Sequence, residues 1–204
     1  MNTIPLSPYS TDSEERITVP LLLAVASVVA ACAIHLLVEP LHWAYSWLID
    51  VPSVSGVFGI LLYAFSNALW RVGWLRFPMG VQVPVLAGHW EGTFRSSFDD
   101  FKTVRNCSAE IRQGWLTMSV VFKSGESSSV SILAGISVKN AAGSQLSYCY
   151  VNTANYDKRL FNHDGTQYLV LRREAHHDVL EGEYYTNRKD GQTRGHMLLR
   201  RERV

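Results

Sequence analysis

The sequence predicts a membrane helical hairpin of two transmembrane α-helices followed by an all-β domain, an antiparallel up-and-down β-barrel of about eight strands. Two apolar stretches, 17–38 and 54–70, contain no Asp, Glu, Lys or Arg. From residue 88 onward the chain consists instead of short alternating runs separated by glycine-containing turns. We therefore divide it into a cytoplasmic N-terminal tail (1–16), a transmembrane hairpin (17–76), a linker (77–87) and a cytosolic barrel domain (88–204).

The two apolar stretches have the length and flanks of membrane spans. The first is long enough to cross a hydrocarbon core of roughly 30 Å, and the second stays apolar until Arg71. Prolines break the segment between them, where Trp43, Tyr45 and Trp47 favour a membrane interface. That segment has no Lys or Arg, whereas Arg16 precedes the first stretch. The positive-inside rule then predicts a multi-pass protein with both termini in the cytoplasm.

Two other interpretations of the first stretch are a cleaved signal sequence and a buried pair of core helices. The residues VAAC at 29–32 are similar to a lipoprotein cleavage box, but acidic Glu14 and Glu15 precede the apolar run, which continues beyond Cys32. A chain of 204 residues rarely has enough protein to cover two helices that are apolar all round. Membrane insertion is therefore the preferred interpretation.

Charge and cysteine content bear on the partners of the domain at 88–204. The whole chain has a formal net charge of +1, and Lys and Arg only modestly exceed Asp and Glu after residue 88. This balance suits a small anionic ligand and is too weak to predict DNA or RNA binding. The cysteines, Cys32, Cys107 and Cys149, form no close pair. We therefore expect reduced thiols in a cytosolic domain.

Eight runs of strand character follow residue 88. They occupy 88–97, 103–112, 115–123, 128–138, 145–153, 166–173, 178–187 and 194–201. Gly114, Gly125, Gly143, Gly165 and Gly191 lie in or near the turns between them, where antiparallel strands must reverse. Such short connections predict a meander of neighbouring strands without crossover helices.

Alternation predicts which side chains face the barrel interior. The inward sets are Leu116, Met118, Val120 and Phe122; Val130, Ile132, Ala134, Ile136 and Val138; Leu146, Tyr148, Tyr150 and Asn152; and Leu180, Gly182, Tyr184 and Thr186. Part of this interior is aliphatic, and part is aromatic with polar tips. An apolar floor beneath a polar mouth predicts a barrel that holds a ligand.

No pattern of catalytic or metal-binding residues stands out. The adjacent His176, His177 and Asp178 point to alternate faces of a strand, and His163-Asp164 reads as a turn. His35 lies in the first apolar stretch, where a hydrogen bond between helices explains it. No nucleophile elbow, phosphate loop or dinucleotide fingerprint occurs. We expect a protein that is not an enzyme and carries no metal or cofactor.

The remaining chemistry is that of nucleotide binding. Bases stack on aromatic rings, and phosphates take Arg or hydroxyl donors. Tyr156 and Tyr185 are further tyrosines with stacking surfaces. The candidate ligand-binding residues are Arg95, Arg105, Tyr148, Tyr150, Asn152, Tyr184, Thr186, Asn187 and Arg194.

Three motifs carry a likeness to a known family. They are GHWEGTF at 88–94, LEGEYYTN at 180–187 and GHMLLR at 195–200, in a domain that directly follows two apolar spans. In this architecture the chain resembles the two-transmembrane β-barrel effectors of bacterial cyclic-oligonucleotide-based antiphage signalling (CBASS). The resemblance extends over nearly the whole chain.

The resemblance implies a function at the bacterial inner membrane. A functionally linked nucleotidyltransferase (CD-NTase) would make a cyclic dinucleotide, which the cytosolic barrel would bind. Binding would promote self-association into a homo-oligomer in the lipid bilayer, disruption of the inner membrane and death of the infected cell. One alternative is a membrane-tethered, lipocalin-like barrel that binds a lipophilic or metabolite ligand without a signalling role. Another is a structural subunit whose spans serve a larger complex.

Overall fold

The computed structural model describes residues 6–38, 47–125, 127–154, 163–188 and 191–202. The helices are α1 (Glu15–Val38), α2 (Trp47–Asn67) and α3 (Gly73–Arg76). The strands are β1 (Ser7–Thr11), β2 (Gly88–Ser96), β3 (Arg105–Gln113), β4 (Thr117–Ser124), β5 (Ser127–Ser137), β6 (Gln145–Ala154), β7 (His163–Arg173), β8 (His177–Arg188) and β9 (Gly191–Glu202). Short 3-10 turns cover Leu69–Arg71 and Ser97–Asp99. The chain divides into a helical unit, Glu14–Gln82, and a sheet unit formed by Met1–Ser13 with Val83–Val204.

In the helical unit, α1 and α2 pack against each other. By length and composition, the part of α1 at Glu15–Leu36 suffices to cross a membrane. The apolar stretch Val54–Asn67 within α2 is shorter, so the structure supports one of the two predicted spans. Helix α2 begins at Trp47, before the predicted start of the second stretch. The predicted interfacial residues Trp43 and Tyr45 lie outside the described residues.

The sheet unit confirms the prediction of antiparallel β-structure. Each of the eight predicted runs corresponds to one of the strands β2–β9, with ends that differ by a few residues. Consecutive strands pair antiparallel from β2 to β9, and β9 pairs back to β2, so the sheet closes on itself. The chain therefore makes the predicted up-and-down circuit.

A ninth strand, β1, lies in the segment that the sequence analysis treats as a tail. β4 and β5 pair directly only at one end, from Val121↔Val130 to Lys123↔Ser128. Beyond that point β1 pairs antiparallel with β4, at Ser7↔Met118, and parallel with β5, at Tyr9↔Ala134. Tyr9 is buried among the core residues. The N-terminal strand thus completes the closed sheet.

Asp12 anchors the end of β1 to the end of β5. Its carboxylate accepts hydrogen bonds from the Ser137 hydroxyl (2.5 Å), the Val138 backbone N–H (2.7 Å) and the Lys139 backbone N–H (3.2 Å). The Ser137 bond is the main cause that holds the pKa of Asp12 below its ordinary value. Because the folded-state pKa is depressed, this anchor stabilises the fold at neutral pH and is lost as acid protonates the carboxylate.

A β-bulge in β5 changes which residues face inward. The pairing register with β6 shifts between Ser131 and Leu133, so one extra residue reverses the alternation. Ser129 and Ser131 are buried, whereas Ile132 is 50% exposed. The prediction that Val130 and Ile132 share the inner face with Ala134 and Ile136 is therefore wrong for the first two.

The other inward sets follow the predicted alternation with one exception. Leu146, Tyr148, Tyr150 and Asn152 are all buried, as are Leu180, Tyr184 and Thr186. Leu116 precedes β4 and is 42% exposed, so its predicted inward orientation is wrong. All three cysteines are free thiols, and burial raises the pKa of Cys107 to about 12.

The segment 83–88 packs into one end of the closed sheet. Val83 and Leu86, which lie in the predicted linker, are fully buried in the core. The Leu86 N–H donates to Gln113 Oε1 at 2.6 Å, and Gln113 Nε2 donates to the Pro84 carbonyl at 3.0 Å. Trp90 Nε1 donates to the Leu86 carbonyl at 2.9 Å. This apolar end leaves the opposite end of the sheet for a cavity.

Candidate functional site

A cavity of about 750 Å³, its open mouth included, lies inside the closed sheet. Every strand from β2 to β9 contributes to its wall. The lining residues are Phe94, Ser96, Phe98, Arg105, Phe122, Ser124, Ser127, Ser129, Tyr150, Asn152, His163, Gln167, Tyr184, Thr186, Thr193 and Met197.

The floor of the cavity is closed by a hydrogen-bonded polar pair. The Tyr148 hydroxyl donates to Gln167 Oε1 at 2.8 Å, and Gln167 Nε2 contacts Met197 Sδ at 3.0 Å. Burial raises the pKa of Tyr148, so the phenol stays neutral and remains a donor. Leucines of neighbouring strands, Leu169 and Leu180, belong to the core beneath. The polar atoms of the floor are therefore paired within the protein.

Aromatic rings line the walls above this floor. Phe94 makes edge contacts with Phe122 (5.8 Å between ring centroids) and with Tyr184 (6.2 Å). Tyr150 lies 6.0 Å from Tyr148 in a tilted arrangement. Side chains of this kind present flat faces on which a planar group can stack.

Two glycines make room for the tyrosine rings of the wall. A Cβ atom at Gly165 would overlap the end of the Tyr150 ring and lie 2.7 Å from the Tyr185 carbonyl oxygen. A Cβ atom at Gly195 would overlap the Tyr184 ring. Each ring thus lies directly over the backbone of a neighbouring strand, which fixes its orientation toward the cavity.

We expect Gly165→Ala to displace Tyr150 and to weaken the fold. The added methyl group overpacks both the ring and a backbone carbonyl, which costs about 1–3 kcal/mol of unfolding free energy. Urea denaturation of the full chain in detergent micelles measures the loss. Gly125→Ala is the matched control, because a Cβ there has nothing within 4 Å; equal losses in the two variants would contradict the packing argument.

Arg105 places a positive charge in the cavity wall. Its Nη2 atom lies 3.0 Å from Asp99 Oδ2, and both side chains are largely shielded from solvent. A hydrogen bond from Thr103, with the Arg105 charge as a further cause, lowers the pKa of Asp99. Asp99 therefore stays ionised at neutral pH and orients the guanidinium, which is the cationic group best suited to phosphate.

Hydroxyl and amide groups complete the polar side of the wall. Thr186 and Thr193 share a short hydrogen bond between their hydroxyls. Asn152 Nδ2 lies 3.2 Å from His163 Nε2. Ser96, Ser124, Ser127 and Ser129 add further hydroxyls to the lining. The cavity thus combines stacking surfaces with a set of neutral hydrogen-bonding groups and one arginine.

The structure brings five of the nine sequence-predicted residues together around the cavity. These are Arg105, Tyr150, Asn152, Tyr184 and Thr186. Tyr148 lies beneath them in the floor. Arg95, Asn187 and Arg194 are exposed and do not line the cavity.

Strand geometry accounts for the three that lie elsewhere. Thr186 and Asn187 are consecutive in β8, so only one of them can point inward. Arg95 lies between the lining residues Phe94 and Ser96 on β2, so its side chain points outward. Arg194 directly follows the lining residue Thr193 on β9 and points outward for the same reason. Tyr185 points outward and donates to Glu183 Oε2 at 2.6 Å. Tyr156 lies outside the described residues.

The predicted site residues include none of the lining residues on β2, β4, β5, β7 and β9. Phe94 and Ser96 follow the buried Trp90 at intervals of two, so alternation alone would have found them. Alternation predicts Phe122 on the inner face, but the predicted ligand-binding residues do not include it. Ser127 and Ser129 could not be assigned, because the bulge in β5 reverses their faces. Phe98 lies in the loop after β2, where alternation does not apply.

Among the described residues, no group of three or more His, Cys, Asp or Glu side chains could hold a metal ion. Asp178 instead forms a salt bridge with Arg201, with 2.7 Å between Asp178 Oδ2 and Arg201 Nη2. His163 contacts Asn152 in the cavity wall.

Comparison with known proteins gives two matches. Residues 81–201 match the family model described as Cap15, cyclic dinucleotide receptor domain. The chain is also similar to the CD-NTase-associated protein 15 of Staphylococcus schleiferi, with 23% identity over 161 residues, covering 78% of this chain and 82% of that protein. The matched region 81–201 contains β2–β8, all of β9 but its last residue, and with them the whole cavity wall.

Proposed function

The chain belongs to the family of Cap15 cyclic dinucleotide receptor domains and is thus a CBASS effector, and from this premise we propose that the cavity within its closed sheet is the receptor site. A linked nucleotidyltransferase supplies the cyclic dinucleotide. Binding drives self-association of the protein in the inner membrane and disruption of that membrane. The protein acts by binding alone, without catalysis.

The observation that carries this proposal is the composition of the cavity wall. A cyclic dinucleotide has two flat bases and two phosphates. Phe94, Tyr150 and Tyr184 offer ring faces to the bases, each worth about 1–3 kcal/mol in stacking. Arg105, held in place by Asp99, offers a bidentate donor to one phosphate.

The same polar groups weigh against a lipophilic ligand. An apolar molecule would cover the Arg105 guanidinium and Asn152 Oδ1 without offering either a hydrogen bond, and each buried unsatisfied group costs about 1–3 kcal/mol. A ligand with its own donors and acceptors avoids that cost. The polar wall therefore supports a nucleotide over the lipocalin-like alternative.

The course of the chain supports a membrane hairpin with both ends on the same side of the membrane, which the proposed function takes to be the cytoplasm. β1 precedes α1, yet β1 belongs to the same sheet as β2–β9, which follow α2. A chain that crosses the membrane along α1 must therefore cross an even number of times before it forms β2. Helix α2 has 21 residues, about 30 Å at 1.5 Å per residue, and its apolar part is Val54–Asn67. We assign the return crossing to this helix.

One experiment tests binding and membrane disruption together. We expect the full chain, reconstituted in dye-filled vesicles of bacterial lipids, to bind at least one 3′,3′-cyclic dinucleotide from a panel of the four bases and to release dye when it does. Arg105→Gln should weaken binding about 10- to 100-fold, since a charge-assisted hydrogen bond is worth about 1.5–3 kcal/mol. Leakage should shift to correspondingly higher ligand concentration.

Arg95→Gln is the matched control for this experiment. It removes the same charge from an exposed position on β2 that does not line the cavity, and we expect an affinity within about twofold of the unmodified protein. Equal weakening by the two substitutions would reject the cavity as the site. Binding without dye release would reject membrane disruption while leaving the receptor function in place.

A further inference from the structure

We propose that Asn152 recognises the nucleoside part of the ligand by accepting a hydrogen bond at Oδ1 from an N–H of a base or an O–H of a ribose. This inference rests on the proposed function, and it assigns to Asn152 a role in selecting the ligand. The recognised chemistry is a neutral hydrogen-bond donor, held away from the phosphates.

The first observation is an unpaired acceptor in a buried side chain. Asn152 lies in the cavity wall and is only 7% exposed. Its Nδ2 atom is engaged with His163 Nε2 at 3.2 Å, whereas Oδ1 is buried without a hydrogen-bond partner among the described residues. Buried polar side-chain atoms are paired in the large majority of cases, and an unpaired one calls for an explanation. A donor on the ligand would supply the missing bond.

The chemistry of the free atom excludes phosphate as that partner. A carboxamide oxygen only accepts hydrogen bonds, and phosphate oxygens of a cyclic dinucleotide are acceptors as well. The donors that a cyclic dinucleotide offers lie on the edges of its bases and at its ribose hydroxyls. Oδ1 of Asn152 is therefore suited to the nucleoside.

The position of Asn152 agrees with this assignment. Tyr150 and Asn152 are two residues apart on β6 and face the cavity together, which places them about 7 Å apart along the strand. A base that stacks on the Tyr150 ring thus reaches the amide with its edge. Ser129 of β5 and His163 of β7 pair with Asn152 on its two sides, so the side chain projects from a strand that is paired on both sides.

Arg105 lies on a different wall. In the closed order β3 is separated from β6 by β4 and β5 in one direction and by four strands in the other. The cationic group and the free acceptor therefore approach the ligand from separate sides. A cyclic dinucleotide matches this separation, because its phosphates belong to the central ring and its base edges point outward.

The test compares modified ligands in two forms of the protein. The full chain in detergent micelles is titrated with the tightest binder of the four-base panel, with the same compound methylated at an N–H of the base edge, and with its 2′-deoxy form. We expect one of the two modifications to weaken binding about 10- to 100-fold, the effect of leaving a buried acceptor unpaired. In Asn152→Ala the same modification should change the affinity by less than about threefold. The methylated and deoxy compounds distinguish a base donor from a ribose donor.

Several outcomes would overturn the inference. If Asn152→Ala keeps the full sensitivity to both modifications, the donor is recognised elsewhere. If neither modification weakens binding to the unmodified protein, no such donor is recognised, and this result needs no variant to fold. Asn187→Ala, an exposed asparagine on β8, controls for the substitution and should retain the sensitivity. Failure of every cyclic dinucleotide to bind would reject the proposed function itself, a result distinct from binding that ignores Asn152.

Discussion

Trp90→Ala is expected to lower the free energy of unfolding by about 3–5 kcal/mol, the usual cost of truncating a fully buried tryptophan. Trp90 is 0% exposed and its indole N–H donates to the Leu86 carbonyl. The Arg201 guanidinium lies over its ring, 4.5 Å from the centroid. The substitution therefore removes apolar contacts, a hydrogen bond and a cation–π contact at the end of the sheet opposite the cavity.

Urea denaturation of the full chain in micelles measures this loss. Trp90→Phe keeps a ring beneath Arg201 but loses the indole donor, so its cost should lie below that of alanine. Trp74→Ala makes the same truncation at a side chain that is 76% exposed, and it should leave the stability within about 0.5 kcal/mol. A loss at Trp90 no larger than at Trp74 would show that segment 83–88 does not hold the sheet together.

Tyr9→Ala is expected to destabilise the sheet by about 3–5 kcal/mol and to loosen β1 selectively. Tyr9 is 6% exposed, belongs to the core, and its backbone N–H donates to the Leu116 carbonyl at 3.3 Å. Without the ring, a five-residue strand has little else to bury. Amide hydrogen exchange should rise most at Met118 and at Ala134–Ile136, the partners of β1.

Leu6→Ala is the control for Tyr9, because Leu6 is 51% exposed immediately before β1. We expect it to change neither stability nor exchange. Equal acceleration of exchange throughout β2–β9 in Tyr9→Ala, with no larger rise at Met118 or at Ala134–Ile136, would contradict a local role for β1, since it would mean that the sheet opens only as one unit.

Residues 88–202 were the part of the fold most open to prediction. Glycines in the turns and alternation in runs such as 178–187 report directly on strand ends and faces, because side chains on a strand alternate by geometry. This local signal was enough to find all eight strands of the circuit and their antiparallel order.

β1 and the bulge in β5 could not be predicted for a physical reason. Ser7–Thr11 becomes a strand only because β4 and β5 separate and leave backbone groups for it to pair with. The bulge at Ser131/Leu133 is likewise set by pairing with β6. Both depend on contacts between distant parts of the chain, which a local pattern does not contain.

The candidate site likewise has residues that the local pattern predicts and residues that it does not. Tyr150, Asn152, Tyr184 and Thr186 follow from alternation, and they do line the cavity. Arg95, Asn187 and Arg194 were selected for their chemistry near strand ends, although their immediate neighbours already occupied the inner face. The alternation of side chains along a strand is therefore a stronger guide than residue type to the residues that face the interior of a closed sheet.

The pairing of β1 also sets the order in which the protein assembles during synthesis. Ser7 is synthesised before its partner Met118, which follows roughly 100 residues later, on the order of 5–20 s at a typical rate of synthesis. The apolar helices emerge within that interval. β1 therefore lacks its pairing partners until β4 and β5 have been made, so the sheet can close only after both long helices are complete.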